Sequence, residues 1–198
     1  MSSAVKFLPG LRAFTTKSNG IVRELLNQVH ISEAYDPATG QPEPIKRPYI
    51  AVWDCGATAT VISPKIAQEL NLQPSGKENV HSVGAGDQSH EYEANTYLVN
   101  IYLPNNVWIV GVRVSDGGIA GADVLLGMDI IAFGDFAITN HNGHTHWTFR
   151  TPSNEPIDFV EEINEHNRKH GIHAVPLSQD EKRKQRNRDK KRKKARHR

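Results

Sequence analysis

Tyr49-Ile50-Ala51-Val52-Trp53-Asp54-Cys55-Gly56-Ala57-Thr58-Ala59-Thr60-Val61-Ile62 is the stretch on which the fold turns. Tyr49 to Trp53 is a nearly continuous apolar run, which predicts a buried strand, and Val61-Ile62 predicts a second, short one. Between them Asp54-Cys55-Gly56-Ala57-Thr58 must turn tightly, and Gly56 supplies the place where another backbone can approach. Most aspartates in such triplets merely cap their own turn. A carboxylate fixed between two buried strands can do more, because the backbone aims it. One carboxylate cannot be both base and acid toward a peptide bond. Two that share a proton can, since both cannot ionise at close range. The charged one activates a water and the protonated one polarises the carbonyl. The sequence has no second Asp-x-Gly-Ala turn in the same strand context, so the partner carboxylate is expected from another copy of the chain.

Outward from this stretch the middle of the chain reads as short strands at close spacing. Ile21 to Ser32 predicts a strand, or a short helix running into one, and Asp36-Pro37-Ala38-Thr39-Gly40 is a turn. Ser63-Pro64 predicts a helix start, with the hydroxyl as cap and Ile66, Ala67 and Leu70 on one face. Tyr97–Leu103 and Val107–Val114 read as a hairpin about Pro104-Asn105-Asn106, and Phe136–Thr139 as a further strand. After Pro152 the texture turns helical. Asp158, Glu161 and Glu162 come early, Arg168, Lys169 and His170 late, and Gly171 is a natural stop. The expected organisation is a flexible leader over 1–20, the main domain over 21–150, a helical extension over 151–176 and a disordered basic tail over 177–198.

The sequence resembles the retropepsin-like aspartic proteases. Tyr49–Ile62 is similar to that family's active-site strand, an apolar pair followed by Asp, Thr or Ser, Gly and Ala. Val124-Leu125-Leu126-Gly127-Met128-Asp129-Ile130-Ile131 resembles its second signature, and Val83-Gly84-Ala85-Gly86 falls where the family has a glycine-rich flap. The resemblance covers roughly residues 22–140. It implies a mostly β acid-protease barrel, one subunit of a symmetric homodimer, with a short helix after the active-site strand and a C-terminal helix. It further implies Asp54 as the catalytic residue and Cys55, Gly56, Ala57 and Thr58 as its turn. Leu126, Gly127 and Asp129 become the supporting segment, and the substrate a polypeptide. No cofactor or metal is implied.

Three departures stand out. Cys55 replaces a Thr or Ser whose hydroxyl, in the family, ties the two active-site turns together; a thiol is a weaker donor. A cysteine near the two-fold axis would face its own copy, so oxidation could link the pair; a buried, inert filler is the plainer reading. Trp53 is bulkier than the family's usual residue. Thr58 and Met128 are both neutral where viral enzymes often pair an acid with an arginine.

Charge is unevenly placed. Glu181–Arg198 holds twelve Lys or Arg against two acids, and the whole chain is +2, so residues 1–180 carry a net −8. The tail over 182–198 is expected to contact nucleic acid or another polyanion through phosphates, without base stacking, unless it serves only as a solvated tail. The contrasting function is therefore a catalytically silent β-fold that binds peptides or a polyanion. One cysteine excludes a disulfide framework, and no apolar run reaches membrane-spanning length. Without a secretory signal pattern, a cytoplasmic location is expected. His141, His144 and His146 invite a zinc reading, but their spacing matches no strong pattern and Gly143 marks a hairpin, so no metal is expected.

Overall fold

The computed structural model describes residues 6–7, 10–83 and 89–172. Among these residues eleven strands and three α-helices follow in chain order, with one turn of 3-10 helix at Pro37–Thr39: β1 (Lys6–Phe7), β2 (Arg12–Lys17), β3 (Leu26–Glu33), β4 (Arg47–Trp53), β5 (Val61–Ile62), α1 (Pro64–Glu69), β6 (Gly76–Val83), β7 (Ser89–Leu103), β8 (Val107–Asp116), β9 (Val124–Leu126), α2 (Met128–Ile131), β10 (Asp135–His141), β11 (His144–Thr151) and α3 (Phe159–Lys169). The fold is mostly β.

The larger sheet closes on itself. Its pairings run β8–β5–β9–β4–β3–β7 and return from β7 to β8, which makes a barrel of six strands. Closure joins the two edges that an open six-stranded sheet would leave, and inward side chains fill the interior. Alternation sets which residues those are: Val29 and Ile31 from β3, Tyr49 and Ala51 from β4, Val99 and Ile101 from β7, Val112 and Val114 from β8, all nearly or fully buried. β1 adds to the outside of β8, and β6 extends β7 into a long hairpin. β4 lies between β3 and β9, antiparallel to the first and parallel to the second.

A second sheet, β10-β11-β2, packs its apolar side on the barrel. Phe14 and Phe149 meet Trp53 there, and Trp53 stacks on Phe136 with ring centroids 5.2 Å apart. Residues 12–17, which sequence alone assigns to a flexible leader, are therefore an integral strand: β2 pairs along β11 from Arg12↔Thr151 to Lys17↔His146. No local signal could show this, because the partner lies more than a hundred residues on. β11 likewise extends beyond the hairpin that Gly143 suggests. Where the second signature predicts only an apolar segment, Met128–Ile131 forms the short helix α2.

The ambiguous Ile21–Ser32 segment is a strand from Leu26. α1 begins at Pro64 with Ser63 at the N-cap, but the Ser63 hydroxyl makes no cap bond and is buried without a partner. Tyr49 Oη donates to Glu69 Oε2 (2.9 Å) and joins β4 to α1; burial and that carboxylate push the phenol well up. The chain divides into a unit over Met1–Glu155 and a second over Pro156–Arg198. The second unit contains α3, capped by Asp158, whose Oδ1 accepts from the Val160 and Glu161 amides, with Gly171 at φ +65° just beyond. The basic tail over 182–198, and Gly84, Ala85 and Gly86 of the expected flap, lie outside the described residues.

Candidate active site

Asp54 leaves the end of β4 at the point where three chain segments cross. Its amide donates to Leu126 O (3.0 Å), the last residue of β9, while Trp53 N donates to Leu25 O (3.0 Å) just before β3. The backbone entering the turn is thus held from both sides. The Gly56 amide then donates to Asp54 Oδ1 (2.8 Å), and Ala57 N returns to Asp54 O (3.2 Å). A Cβ on Gly56 would stand 3.0 Å from Oδ1. A side chain there would crowd the carboxylate, and among the described residues no backbone beyond its chain neighbours comes within 4 Å of that point. Among the described residues the carboxylate accepts no other hydrogen bond, so Oδ2 remains available.

The second signature supports the turn directly. Ala57 O and Thr58 O accept from the amides of Met128 (2.8 Å) and Asp129 (3.2 Å). These bonds occupy the backbone beside Thr58 and Met128, which need no ion pair between side chains. Asp129 takes the Thr60 amide on Oδ2 (3.0 Å) and the Thr60 hydroxyl on Oδ1 (2.7 Å), and that hydroxyl oxygen accepts from Gly127 N (3.2 Å). Gly127 packs so close that a Cβ would lie 2.6 Å from Ala59 O. Leu126, Gly127 and Asp129 thus surround the turn, each through a different contact. Asp54 is half-buried, while Cys55 is exposed and unbonded to any other cysteine.

A cavity of about 440 Å³ opens at Asp54. Val22, Arg23 and Leu25 form one wall, Val52 and Trp53 the floor, and Ile138, Asn140 and Thr145 the other wall. Thr145 fixes the wall, accepting from Val22 N (3.1 Å) and donating to Asn140 Oδ1 (2.6 Å). The Trp53 indole N–H donates to Asn27 Oδ1 (2.7 Å) inside the core. Arg23, Asn27, Thr60 and Thr145 escape sequence reading. Asn27, Thr60 and Thr145 each bond a partner distant in sequence, Arg23 only lines the cavity, and only the Thr60–Asp129 pair had a signal, the spacing of the two signatures. Val83 ends β6, opposite Ser89 on β7, so the β6–β7 hairpin is where a flap was expected.

A larger cavity, about 640 Å³, lies at the Pro48 end of β4 instead, lined by Tyr35, Tyr102, Trp108 and the Glu43–Lys46 ion pair. Burial and a hydrogen bond to Tyr102 raise the Tyr35 phenol to about 12. The fixed carboxylate of Asp54 sits in the smaller of these two cavities. Among the described residues no group of three or more His, Cys, Asp or Glu side chains is placed to hold a metal ion. His141 and His144 flank the hairpin turn, and no described helix is long and apolar enough to cross a membrane.

Residues 46–132 match the family model described as "gag-polyprotein putative aspartyl protease". The match supports a retropepsin-like family for these residues. The matched segment runs from the start of β4 through α2 and contains both signatures. The chain is also similar to the crystal structure of a retropepsin-like aspartic protease from Rickettsia conorii. Identity there is 12%, covering 74% of this chain and 97% of that one, with a TM-score of 0.39. EIAV protease complexed with the inhibitor HBY-793 aligns at 17% identity over 58% of this chain and 91% of that one, with a TM-score of 0.38. A comparison with curated protein sequences finds no match.

Proposed function

We propose that the protein is an aspartic endopeptidase that works as a homodimer, each copy supplying one Asp54. The carrying observation is the Asp54 carboxylate itself, aimed by β4 and β9, held on one oxygen by the Gly56 amide and open on the other. Such a carboxylate is preorganised but incomplete. Its equivalent from a second copy completes a pair that shares one proton. The ionised member takes a proton from water as that water attacks the scissile carbonyl, and the protonated member donates to the carbonyl oxygen. The cavity beside Asp54, apolar at Val22, Leu25 and Val52, suits side chains of an extended polypeptide, and the β6–β7 hairpin serves as the flap.

Replacing Asp54 by Asn tests this reading. Cleavage of an unfolded protein substrate between pH ~4 and ~7, the range of a shared-proton dyad, should fall at least a thousandfold while the dimer persists. Cleavage unchanged in Asp54→Asn, or none by the wild type anywhere in that range, sinks the assignment.

A further inference from the structure

We propose that the cavity at the Pro48 end of β4 is a binding site for a quaternary ammonium group, with Lys46 as its removable plug. The site is separate from Asp54 and goes beyond the protease reading. β4 runs from Arg47 to Trp53, so its two ends, one at each cavity, stand roughly 20 Å apart.

Strand pairing places the aromatic rings. Tyr102, near the end of β7, lies opposite Trp108, near the start of β8. Their neighbours Ile101, Leu103, Val107 and Ile109 are buried in the barrel, so these two point out of it. The rings stack with centroids 5.3 Å apart and planes 15° from parallel. A relay of hydroxyls fixes them. Ser32, fully buried, donates to Glu33 O (2.9 Å) and accepts from Tyr102 Oη (3.3 Å), and Tyr102 accepts in turn from Tyr35. The phenol protons are used within that relay, which leaves π-faces as what the rings offer a ligand.

An ammonium already stands there. Lys46 Nζ lies 5.0 Å from the Tyr102 ring centroid, inside the ~6 Å reach of a cation–π contact, and 3.0 Å from Glu43 Oε1. A π-face and a carboxylate will bind a cation whichever molecule brings it. Lys46 holds them weakly, because its side chain and that of Glu43 are 47% and 49% exposed, and so wet an ion pair is worth little. Glu43 and Lys46 are the only Lys, Arg, Asp or Glu in the described lining, so the cavity turns net negative once Lys46 swings out. Its volume of about 640 Å³, with Lys46 in place, is within the range of ligand sites.

Hydration decides which ammonium. A primary one is strongly hydrated and brings only what Lys46 brings already. A quaternary one has no N–H to leave unpaired, and its methyls lie on aromatic faces. It displaces Lys46, where another primary amine would merely trade places with it. Choline and a trimethylated lysine side chain carry the same head group.

Calorimetric titration of the full chain with choline tests the site. The control is the uncharged alcohol with a tert-butyl group in place of the trimethylammonium. Lys46→Ala should bind choline about threefold or more tightly than wild type, and the uncharged alcohol about tenfold or more weakly than choline. In the Lys46→Ala background, Glu43→Gln, a change at a half-exposed side chain, should weaken choline about threefold or more. Tyr102→Leu should abolish binding, with circular dichroism to check its fold. A peptide bearing trimethyllysine, titrated beside its unmethylated form, separates the two sources. The peptide binding tighter than choline assigns the site to a methylated protein, the reverse to a small molecule, and either upholds it. Choline that binds Lys46→Ala no better than wild type, or no better than the uncharged alcohol does, overturns the site. So does a Lys46→Ala, Glu43→Gln double variant that binds choline as tightly as Lys46→Ala alone. None of these outcomes bears on Asp54, whose role is read by cleavage.

Discussion

Thr60, fully buried, binds the two signatures together through one hydroxyl that donates to Asp129 and accepts from Gly127. Thr60→Val keeps the shape and removes both bonds, leaving a half-buried carboxylate short of a donor. The expected loss is about 1–3 kcal/mol of stability, read as a lower urea midpoint, with cleavage reduced because the Asp54 turn loosens. Gly127→Ala acts by bulk at the same spot. The new methyl would sit against the Ala59 carbonyl, and backbone on backbone has no rotamer by which to yield. Overpacking of this kind costs about 1–3 kcal/mol. Trp53 shows where single-residue reading stops. Its size reads as a departure from the family pattern, yet its place among Phe14, Phe136, Phe149 and Asn27 depends on strands before and after the matched segment. Asn27→Leu leaves the buried indole N–H without an acceptor, at a cost of about 1–3 kcal/mol. A shift of the tryptophan fluorescence spectrum should accompany the loss.

At the scale of elements, the β10–β11 hairpin is anchored where it begins. Asp135 opens β10, accepts from the Ser153 hydroxyl (2.6 Å) and the Asn154 amide (3.0 Å), and pairs with Arg150 at the far end of β11. Those bonds, the serine's first, lower its carboxyl to about 2 from 3.8. A carboxylate depressed in the folded state stabilises above its unfolded pKa, and the contribution disappears as pH falls through the folded value. Thermal melts of wild type and Asp135→Asn should therefore differ at pH 5 and converge between about pH 4 and about pH 2. A gap that stays constant across that window would show that the clamp acts through shape alone. Elements with local signals were legible: the active-site strand, the α1 start at Pro64, the Asn105-Asn106 hairpin, and the α3 charge order with its Gly171 stop. β2 and most of β11 were not, since Ala13-Phe14-Thr15-Thr16 and His146-Trp147-Thr148-Phe149 become strands only by pairing with each other across the chain.

For the whole molecule, the barrel was legible as a class because its strands alternate and its turns are marked. Its closure was not, since the β3–β7, β4–β9 and β5–β9 pairings are matters of register between distant segments. Charge is the property that sequence carries without any help from the fold. The twelve basic residues of 182–198 follow a body of net −8, so a polyanion that binds the chain should meet the tail and be repelled by the rest. Each phosphate neutralised releases counterions, and log K against log salt should slope by about −0.9 per contact on duplex DNA. Deleting residues 177–198 should flatten that slope toward zero and abolish retention on a heparin column. The tail carries no aromatic residue to stack on a base, so single-stranded sequences of equal length should bind within a few-fold of one another. Cleavage of a short uncharged peptide should be the same with and without the tail, because Asp54 and every residue bonded to its turn lie in the barrel. A tail deletion that slows that peptide would place the basic segment in the chemistry. A deletion that changes neither binding nor cleavage would leave it a solvated extension.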